Sequence, residues 1–568
     1  MLEKEKLGEN MSLVMNTSEV KALFDTLTAH GVEIVFGSNE KELLDCAVES
    51  ELRIFQLKHE QGAVHAADGF ARVTGKPGVV ILTTASGVAN GITGMATAYS
   101  DSVPLVIIAG PLVEKASNPS FQEFDTAGVT MPITKHVFYV NHASELEAVV
   151  GPALSIAASG RPGPVLIEFT PDTIKRRPVS LGPRHGKDSK PTKVQKLIDL
   201  ASQYIESAHK PVFFIGGGTI ISEATELLTE VAHQAQIPVV SSLMGIGAFQ
   251  ASDPLFLGML GMHGTFAANK AVHQCDLLIS IGVRFSDRTT GKVNSFSPKS
   301  KKIHVDIDSA EINKIIKVDL PIVSDAKEFL NGLKAQLNFE QIRSNTESWV
   351  NEVTHLKRTV PRFEKSNSIL SPQTVIRLLD QFSEDDTIVV TDVGQHQMWT
   401  ANHYKFTRPR TLITSGGLGT MGYGLPAAIG AASAAPAKQV ILVSGDGSFQ
   451  MNLQELITAV TYKLPLKIAI MNNGYLGMVR QWQEMFHQKR YSAVKISSPN
   501  FAKLAESYGA VGLKARTEQE AKQIIEDAFS QPGPVIMEFD VMEEENVFPI
   551  VPPNQGNDQL LLSHSKNS

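Results

Sequence analysis

Short, unbroken apolar runs alternate with segments of helical pattern along this chain, and that alternation is what most narrows the folds open to it. Residues 79–83 (Val-Val-Ile-Leu-Thr) and 104–109 (Pro-Leu-Val-Ile-Ile-Ala) read as strands, while 60–72 and 91–99 read as helices. A strand with one face in water alternates apolar and polar residues. One that is apolar throughout is covered on both faces, which is the condition of a parallel sheet wrapped by helices. The run 163–169 (Gly-Pro-Val-Leu-Ile-Glu-Phe) closes this first block.

The pattern returns twice. A middle block offers strands at 212–215, 238–240, 277–281 and 303–307, and a last block at 387–390, 439–443 and 466–471. Polar stretches at 175–193 and roughly 338–367 read as the separators. For 568 residues this predicts an α/β protein of three doubly wound parallel-sheet domains, at 14–180, 190–340 and 368–550. The first and last blocks both close on a Pro-Gly-Pro-Val strand, at 162–165 and 532–535, which points to a structural repeat.

Two stretches without a charged residue, 77–100 and 411–437, are long enough to raise the question of membrane spans. Gly, Ser, Thr and Asn interrupt both, whereas a span needs about 20 mostly apolar residues. Small uncharged segments suit buried packing, or backbone lying close to a ligand. The 52 basic and 59 acidic side chains leave a charge of -7, which argues against a general grip on nucleic acid or anionic lipid. Cys46 and Cys275 are the only cysteines, so a disulfide framework and a thiolate metal site are excluded. The first ten residues are charged and carry no apolar signal-peptide core. A cytoplasmic protein with no nucleic-acid or membrane partner is expected.

The most informative chemistry lies at 440–478. A strand runs into Ser444-Gly445-Asp446-Gly447-Ser448, a helical segment follows, and the next strand ends in Asn472-Asn473-Gly474. Asn473 stands 27 residues after Asp446, one strand–helix–strand crossover, so both fall at carboxyl ends of parallel strands, where α/β proteins bind ligands. A carboxylate and an amide oxygen suit Mg²⁺, which completes its octahedron with phosphate and water. Gly447 and Ser448 begin a helix, where backbone N–H groups meet phosphate. Gly-Asp-Gly alone would be an ordinary turn with a capping aspartate; the Asn-Asn pair at this spacing indicates a cofactor site.

Gly417-Leu418-Gly419-Thr420-Met421-Gly422 matches the dinucleotide fingerprint in letters only. The strand before it is weak, and no acidic residue follows about 20 positions later. Such a loop equally lets a flat ring lie against the backbone. Glu60, opening an Ala/Gly-rich helix, reads on its own as a first-turn carboxylate favoured by the helix dipole.

The segment from Gly445-Asp446-Gly447 through Asn473 resembles the thiamine diphosphate motif. The chain as a whole, about 16–553, resembles the catalytic subunit of acetohydroxyacid (acetolactate) synthases. The most specific matches are 53–72, Phe121-Gln122-Glu123, Gly261-Met262-His263-Gly264, 282–288 (Gly-Val-Arg-Phe-Ser-Asp-Arg), 393–399 (Val-Gly-Gln-His-Gln-Met-Trp), 415–422 and 476–482 (Leu-Gly-Met-Val-Arg-Gln-Trp).

This resemblance implies a pyrimidine-binding N-terminal domain, a central FAD-binding-like domain and a C-terminal diphosphate domain. Asp446, Asn473 and the Tyr475 carbonyl would hold Mg²⁺ on the coenzyme, with Gln395, His396, Gly447 and Ser448 on its diphosphate. Met421 would bend the coenzyme, and the Gly419 carbonyl would accept from its aminopyrimidine. Glu60, from the partner subunit, would bond the pyrimidine nitrogen and prime the coenzyme. A homodimer would be the minimum active unit, a homotetramer the larger form, and a small regulatory subunit a further partner. Arg288 would bind the carboxylate of the acceptor 2-keto acid, in a pocket shaped by Met262 and Trp482 with Gln122 and Phe121 nearby. FAD, without net redox work, would contact Gly216, Gly217, Gly218, Leu243, Met244, His263, Gly282, Arg284, Asp287, Asp306, Glu311 and Asp325. The transferase reaction implied condenses two pyruvates, or pyruvate and 2-ketobutyrate, to 2-acetolactate or 2-aceto-2-hydroxybutyrate, releasing CO₂.

The sequence departs from the family pattern at Ser38-Asn39-Glu40-Lys41, Thr84-Ala85-Ser86-Gly87 and Thr170-Pro171. The first of these places an acidic residue in a loop that in the family approaches the reacting carbon. The alternatives are another thiamine diphosphate enzyme (a 2-keto acid decarboxylase or a pyruvate oxidase), an NAD oxidoreductase, and a noncatalytic paralogue acting as a sensor. An acceptor-binding Arg288 favours the carboligase, because a decarboxylase has no second carboxylate to hold.

Overall fold

Eighteen strands form three six-stranded, wholly parallel sheets in the computed structural model, which describes residues 17–37, 52–110, 125–140, 145–169, 191–358 and 370–563. The chain divides into two compact units. One joins Met1–Arg184 to the later segments Gly417–Pro436 and Asn452–Leu464; the other holds the remainder.

The first unit contains β1 (Ile34–Gly37), β2 (Arg53–Gln56), β3 (Gly78–Leu82), β4 (Leu105–Ala109), β5 (His136–Val140) and β6 (Pro164–Phe169), in the order β2-β1-β3-β4-β6-β5. Interior strands β3 and β4 are buried at every residue, as their unbroken apolar sequences require, and each fully buried Val, Ile or Leu contributes about 1.5–3 kcal/mol. The edge strands β2 and β5 are mostly half-buried, and neither was legible as an apolar run. The helix expected at 60–72 spans Glu60–Thr74, and the one expected at 91–99 is longer, Ala85–Asp101.

The Glu60–Thr74 helix crosses the Gly424–Ala434 helix backbone to backbone: a Cβ on Gly69 would collide with the Ala427 carbonyl, and one on Gly430 with that of Ala66. Part of the charge-free stretch 411–437, the Gly424–Ala434 helix, therefore serves close packing. No helix among the described residues is long and apolar enough to cross a membrane.

The second unit carries two sheets. Its middle sheet comprises β7 (Pro211–Ile215), β8 (Val239–Ser241), β9 (Phe256–Met259), β10 (Leu277–Ile281), β11 (Lys301–Asp306) and β12 (Leu320–Val323), ordered β9-β8-β7-β10-β11-β12. That is the 3-2-1-4-5-6 order of dinucleotide-binding sheets, with its switch point between β7 and β10. The last sheet comprises β13 (Ile388–Thr391), β14 (Leu412–Ile413), β15 (Val440–Gly445), β16 (Leu466–Asn472), β17 (Val511–Ala515) and β18 (Val535–Asp540), ordered β14-β13-β15-β16-β18-β17. This repeats the order of the first sheet, and the two Pro-Gly-Pro-Val closures become the equivalent strands β6 and β18.

One expectation is corrected. The polar stretch at 338–367 contains a 20-residue helix, Phe339–Arg358, and is not simply a separator. Its narrow stripe of Ile342, Thr346, Trp349 and Val353 is buried, and the Trp349 Nε1–H donates to the Pro211 carbonyl at 3.1 Å. A single apolar stripe on an otherwise charged helix leaves average composition polar, which is why the segment looked like a linker.

Candidate active site

Three neighbouring strands of the last sheet, β13, β15 and β16, deliver their following loops to one edge. β15 and β16 pair in parallel to Gly445↔Met471, so Asp446 and Asn473 emerge side by side. Asp446 is buried; its Oδ2 accepts from the Gly474 N–H at 3.1 Å and the Ser498 hydroxyl at 2.8 Å. Burial raises its carboxyl above the usual carboxylate range against the pull of those bonds. A buried carboxylate held this way favours a cation beside it. Among the described residues no three or more His, Cys, Asp or Glu side chains gather as a metal cluster. A cation here would therefore take Asp446, amide or carbonyl oxygens and a ligand's own phosphate, the donor set Mg²⁺ prefers.

From the end of β13 come Gln395 and His396, both buried. The Gln395 amide donates to the Gln481 Oε1 and the Glu545 carbonyl, each at 2.9 Å, leaving its Oε1 buried and unpartnered. His396 bonds the Asp392 backbone, and its Nε2 is likewise unpartnered; burial holds the ring neutral, down to about 3. Orphaned polar atoms are uncommon in folded cores. A Cβ on Gly445 would come within 2.9 Å of His396 Nδ1, and one on Gly477 would strike Gln395 Oε1. Ser448 donates to the Val393 carbonyl at 3.0 Å, and a Cβ on Gly447 would come within 2.9 Å of Leu476. These residues line a glycine-walled cradle whose spare polar atoms suit a diphosphate.

In the first unit Glu60 opens its helix behind His59, whose side chain caps the Gln61 N–H. Glu60 Oε2 accepts from the Asn90 amide at 3.0 Å. A Cβ on Gly87 would lie 3.3 Å from Glu60 Cγ, and Thr84 caps the helix that carries Asn90. Glu455, which sequence reasoning did not find, is buried and accepts the backbone N–H groups of Lys58 and His59 at 3.0 Å, fixing the turn into Glu60. Asn90 was missed too; neither carries a local signal.

The 417–422 loop belongs to the same unit. Gly417 N–H donates to Asp101 at 2.6 Å, Thr420 and Thr97 share a hydroxyl contact of 2.7 Å, and Asn452 donates to the Gly422 carbonyl at 2.7 Å. Gly419 and Gly422 have φ of 72° and 85°, open to glycine at little cost. Beneath the loop, buried Arg72 bridges Asp68 and Asp101 at 2.6 and 2.8 Å, and Tyr423 donates to Asp68 at 2.5 Å. Met421 thus sits on a loop held at both ends.

Elsewhere in the second unit, the Arg288 guanidinium lies 6.0 Å from the Trp482 ring centroid and 3.9 Å from the Met262 sulfur. The middle sheet turns Gly216, Gly217, Gly218, Leu243, Met244, His263, Gly282, Arg284, Asp306 and Asp325 to the carboxyl ends of its strands, with Asp287 and Glu311 in the segments that follow β10 and β11. At the switch point Gly218 N–H donates to the Gly282 carbonyl at 3.2 Å, and a Cβ on Gly218 would come within 2.7 Å of Gly282. Burial lowers His263 to about 4, with Nδ1 unpartnered. Asp325 is already engaged, capping the Ala326–Lys334 helix and accepting from Ser222 at 2.7 Å. Gln122 with Phe121, the 38–41 loop and Thr170-Pro171 lie outside the described residues.

Comparison with known proteins bears on the same segments. Residues 17–129 match the thiamine pyrophosphate enzyme N-terminal TPP binding domain, 198–333 the central domain and 392–539 the C-terminal TPP binding domain. The chain is 41% identical to the acetolactate synthase large subunit of Haemophilus influenzae over 96% of this chain and 98% of that protein. It is 42% identical to the probable acetolactate synthase large subunit of Methanocaldococcus jannaschii, over 94% and 93%. This chain belongs to the acetolactate synthase family of thiamine pyrophosphate enzymes. As an acetolactate synthase family member it carries Glu60 within the N-terminal TPP binding domain, and Gln395, Asp446 and Asn473 within the C-terminal one. A relative from the red alga Porphyra purpurea, 41% identical over 95% of this chain and 94% of that protein, is likewise named a large subunit.

Proposed function

We propose that this chain condenses pyruvate with a second 2-keto acid, pyruvate or 2-ketobutyrate, to 2-acetolactate or 2-aceto-2-hydroxybutyrate with loss of CO₂. The observation that carries the reading is the cradle at the ends of β13, β15 and β16, where unpartnered Gln395 Oε1 and His396 Nε2 accompany the Asp446–Asn473 pair. Asp446, Asn473 and the Tyr475 carbonyl would hold Mg²⁺. Gln395, His396, Gly447 and Ser448 would bind the diphosphate, with an anion beside His396 Nε2 favouring the protonated ring that donates to it. By the family resemblance, Gly419 and Met421 would meet the coenzyme's ring system.

When bound, thiamine diphosphate supplies the electron sink for decarboxylation. Glu60 holds and returns the proton at the pyrimidine nitrogen, a relay typically worth about 10²–10⁴ in rate. Asn90 orients that carboxyl group. Arg288 takes the acceptor carboxylate, a task for a guanidinium fork, while Met262 and Trp482 bound the acceptor. Gln122 keeps the nearby role that the resemblance implies.

A homodimer, or a homotetramer built from it, belongs to the proposal. Glu60 is held by Asn90, whereas Thr420 is held by Thr97 and Gly417 by Asp101, two to three turns or about 10–16 Å further along the same helix. That separation supports Glu60 acting on the coenzyme of a second copy. FAD would lie across the switch point at Gly216–Gly218 and Gly282, and a small regulatory subunit is proposed because the relatives are named large subunits.

The test is the product profile. Purified protein given pyruvate, thiamine diphosphate, Mg²⁺ and FAD should yield acetoin after acidification, detected by colour, and a mixed product when 2-ketobutyrate is added. Acetaldehyde alone, or no product, overturns the proposal. A flavin band in the visible spectrum tests FAD separately.

A further inference from the structure

One short C-terminal segment, residues 545–557, is bonded at one end to the helix bearing Trp482 and at the other to the loop bearing Arg288. At the first end, Gln481 makes a two-point lock on Val547, accepting its N–H at 2.9 Å and donating to its carbonyl at 3.1 Å. The Arg480 guanidinium donates to the Glu545 carbonyl at 2.8 Å and to Asn546 Oδ1 at 2.6 Å. At the far end, Val551 N–H donates to the Met262 carbonyl at 2.8 Å, and Met262 N–H to the Arg288 carbonyl at 2.7 Å. Lys292 N–H donates to the Gln555 carbonyl at 3.0 Å, and the Asn557 amide to the Thr289 carbonyl at 3.1 Å.

The contrast between backbone and side chain matters here. Asn557 is 3% exposed, and the bonds at the far end fix main chain around Arg288. The Arg288 side chain is 65% exposed, with Asp287 4.0 Å away. Gly291 completes the arrangement: at φ +54°, a Cβ there would lie 2.7 Å from the Gln555 carbonyl and 3.2 Å from Asn557 Oδ1.

The geometry points to Asn557 as a positioning residue for acceptor binding, holding the main chain beside Arg288 so that the guanidinium meets a carboxylate at a set distance from Trp482. This rests on the acceptor role proposed for Arg288. Small displacements of a substrate clamp cost large factors in rate, so a bond to the neighbouring carbonyl is felt in the second half of the reaction and not the first. Decarboxylation of the donor does not use Arg288 and is left intact.

The experiment compares wild type with Asn557→Ala at saturating thiamine diphosphate and Mg²⁺, measuring CO₂ release from pyruvate, the acceptor KM and the ratio of acetolactate to acetaldehyde. The variant should release CO₂ within about twofold of wild type, raise the acceptor KM about tenfold, and shift product toward acetaldehyde. A merely structural role would lower Tm or all rates together and leave the ratio unchanged, which overturns the inference. Should Asn557→Ala not fold, Gly291→Ala, which presses on Gln555 from the other side, is held to the same outcomes. A wild type that forms no acetolactate removes the functional reading and this inference together; an active wild type with an unchanged variant ratio removes this inference alone.

Discussion

The Asn90 amide holds Glu60 Oε2 at 3.0 Å, so the carboxylate that opens one helix is aimed by a side chain from the next. Glu60→Gln keeps the size and the contact but loses the titrating proton. Turnover should fall by about 10²–10⁴, while calorimetry still finds thiamine diphosphate bound. Asn90→Ala should cost less, about tenfold, because it frees the carboxyl group without removing it. Full activity in Glu60→Gln would take that residue out of the mechanism.

Burial disfavours the Asp446 carboxylate, so Asp446→Asn should leave the ligand-free protein equally stable or more so at neutral pH. The same change should abolish the stabilisation given by Mg²⁺ with thiamine diphosphate, which at 100 times Kd is about 2.7 kcal/mol. Melting curves with and without both ligands check this without any activity assay. An unchanged ligand-induced shift in the variant would remove Asp446 from the metal site.

Acid should destabilise the protein from mildly acidic pH downward. Burial lowers His65 and His396 to about 3, and His263 and His403 to about 4. The unfolded chain binds these protons near pH 6.5, so their cost is absent above that value and grows as pH falls toward the folded-state values. The slope is at most about 1.4 kcal/mol per pH unit for each ring. Urea midpoints at pH 7.5 and 5 should differ accordingly, and His65→Asn should flatten the slope. A midpoint that does not move between the two values would contradict the assignment.

Gly430→Ala should destabilise by about 1–3 kcal/mol, because the new methyl meets the Ala66 carbonyl at a helix crossing and has no side chain to displace. The equivalent change at Gly533, where nothing lies within 4 Å, should be close to neutral. Thermal denaturation of the pair separates packing from any general cost of losing glycine.

The chain by itself determined the α/β class, the interior strands such as β3, β4 and β10, and the pairing of Asp446 with Asn473. Each depends on local periodicity or on the length of one crossover, which covalent geometry sets. The edges β2 and β17 were hidden because a half-exposed strand has no unbroken apolar run, and the Phe339–Arg358 helix because its stripe is narrow. Arg288 and Trp482 were named through family resemblance, but nothing in their spacing brings them within 6.0 Å. Asn90 on Glu60, Glu455 under Lys58 and Asn557 against Thr289 join residues from 30 to almost 400 positions apart. Only tertiary structure decides such contacts, since sheet register and helix packing, and no property of either residue alone, place two distant polar groups within bonding distance.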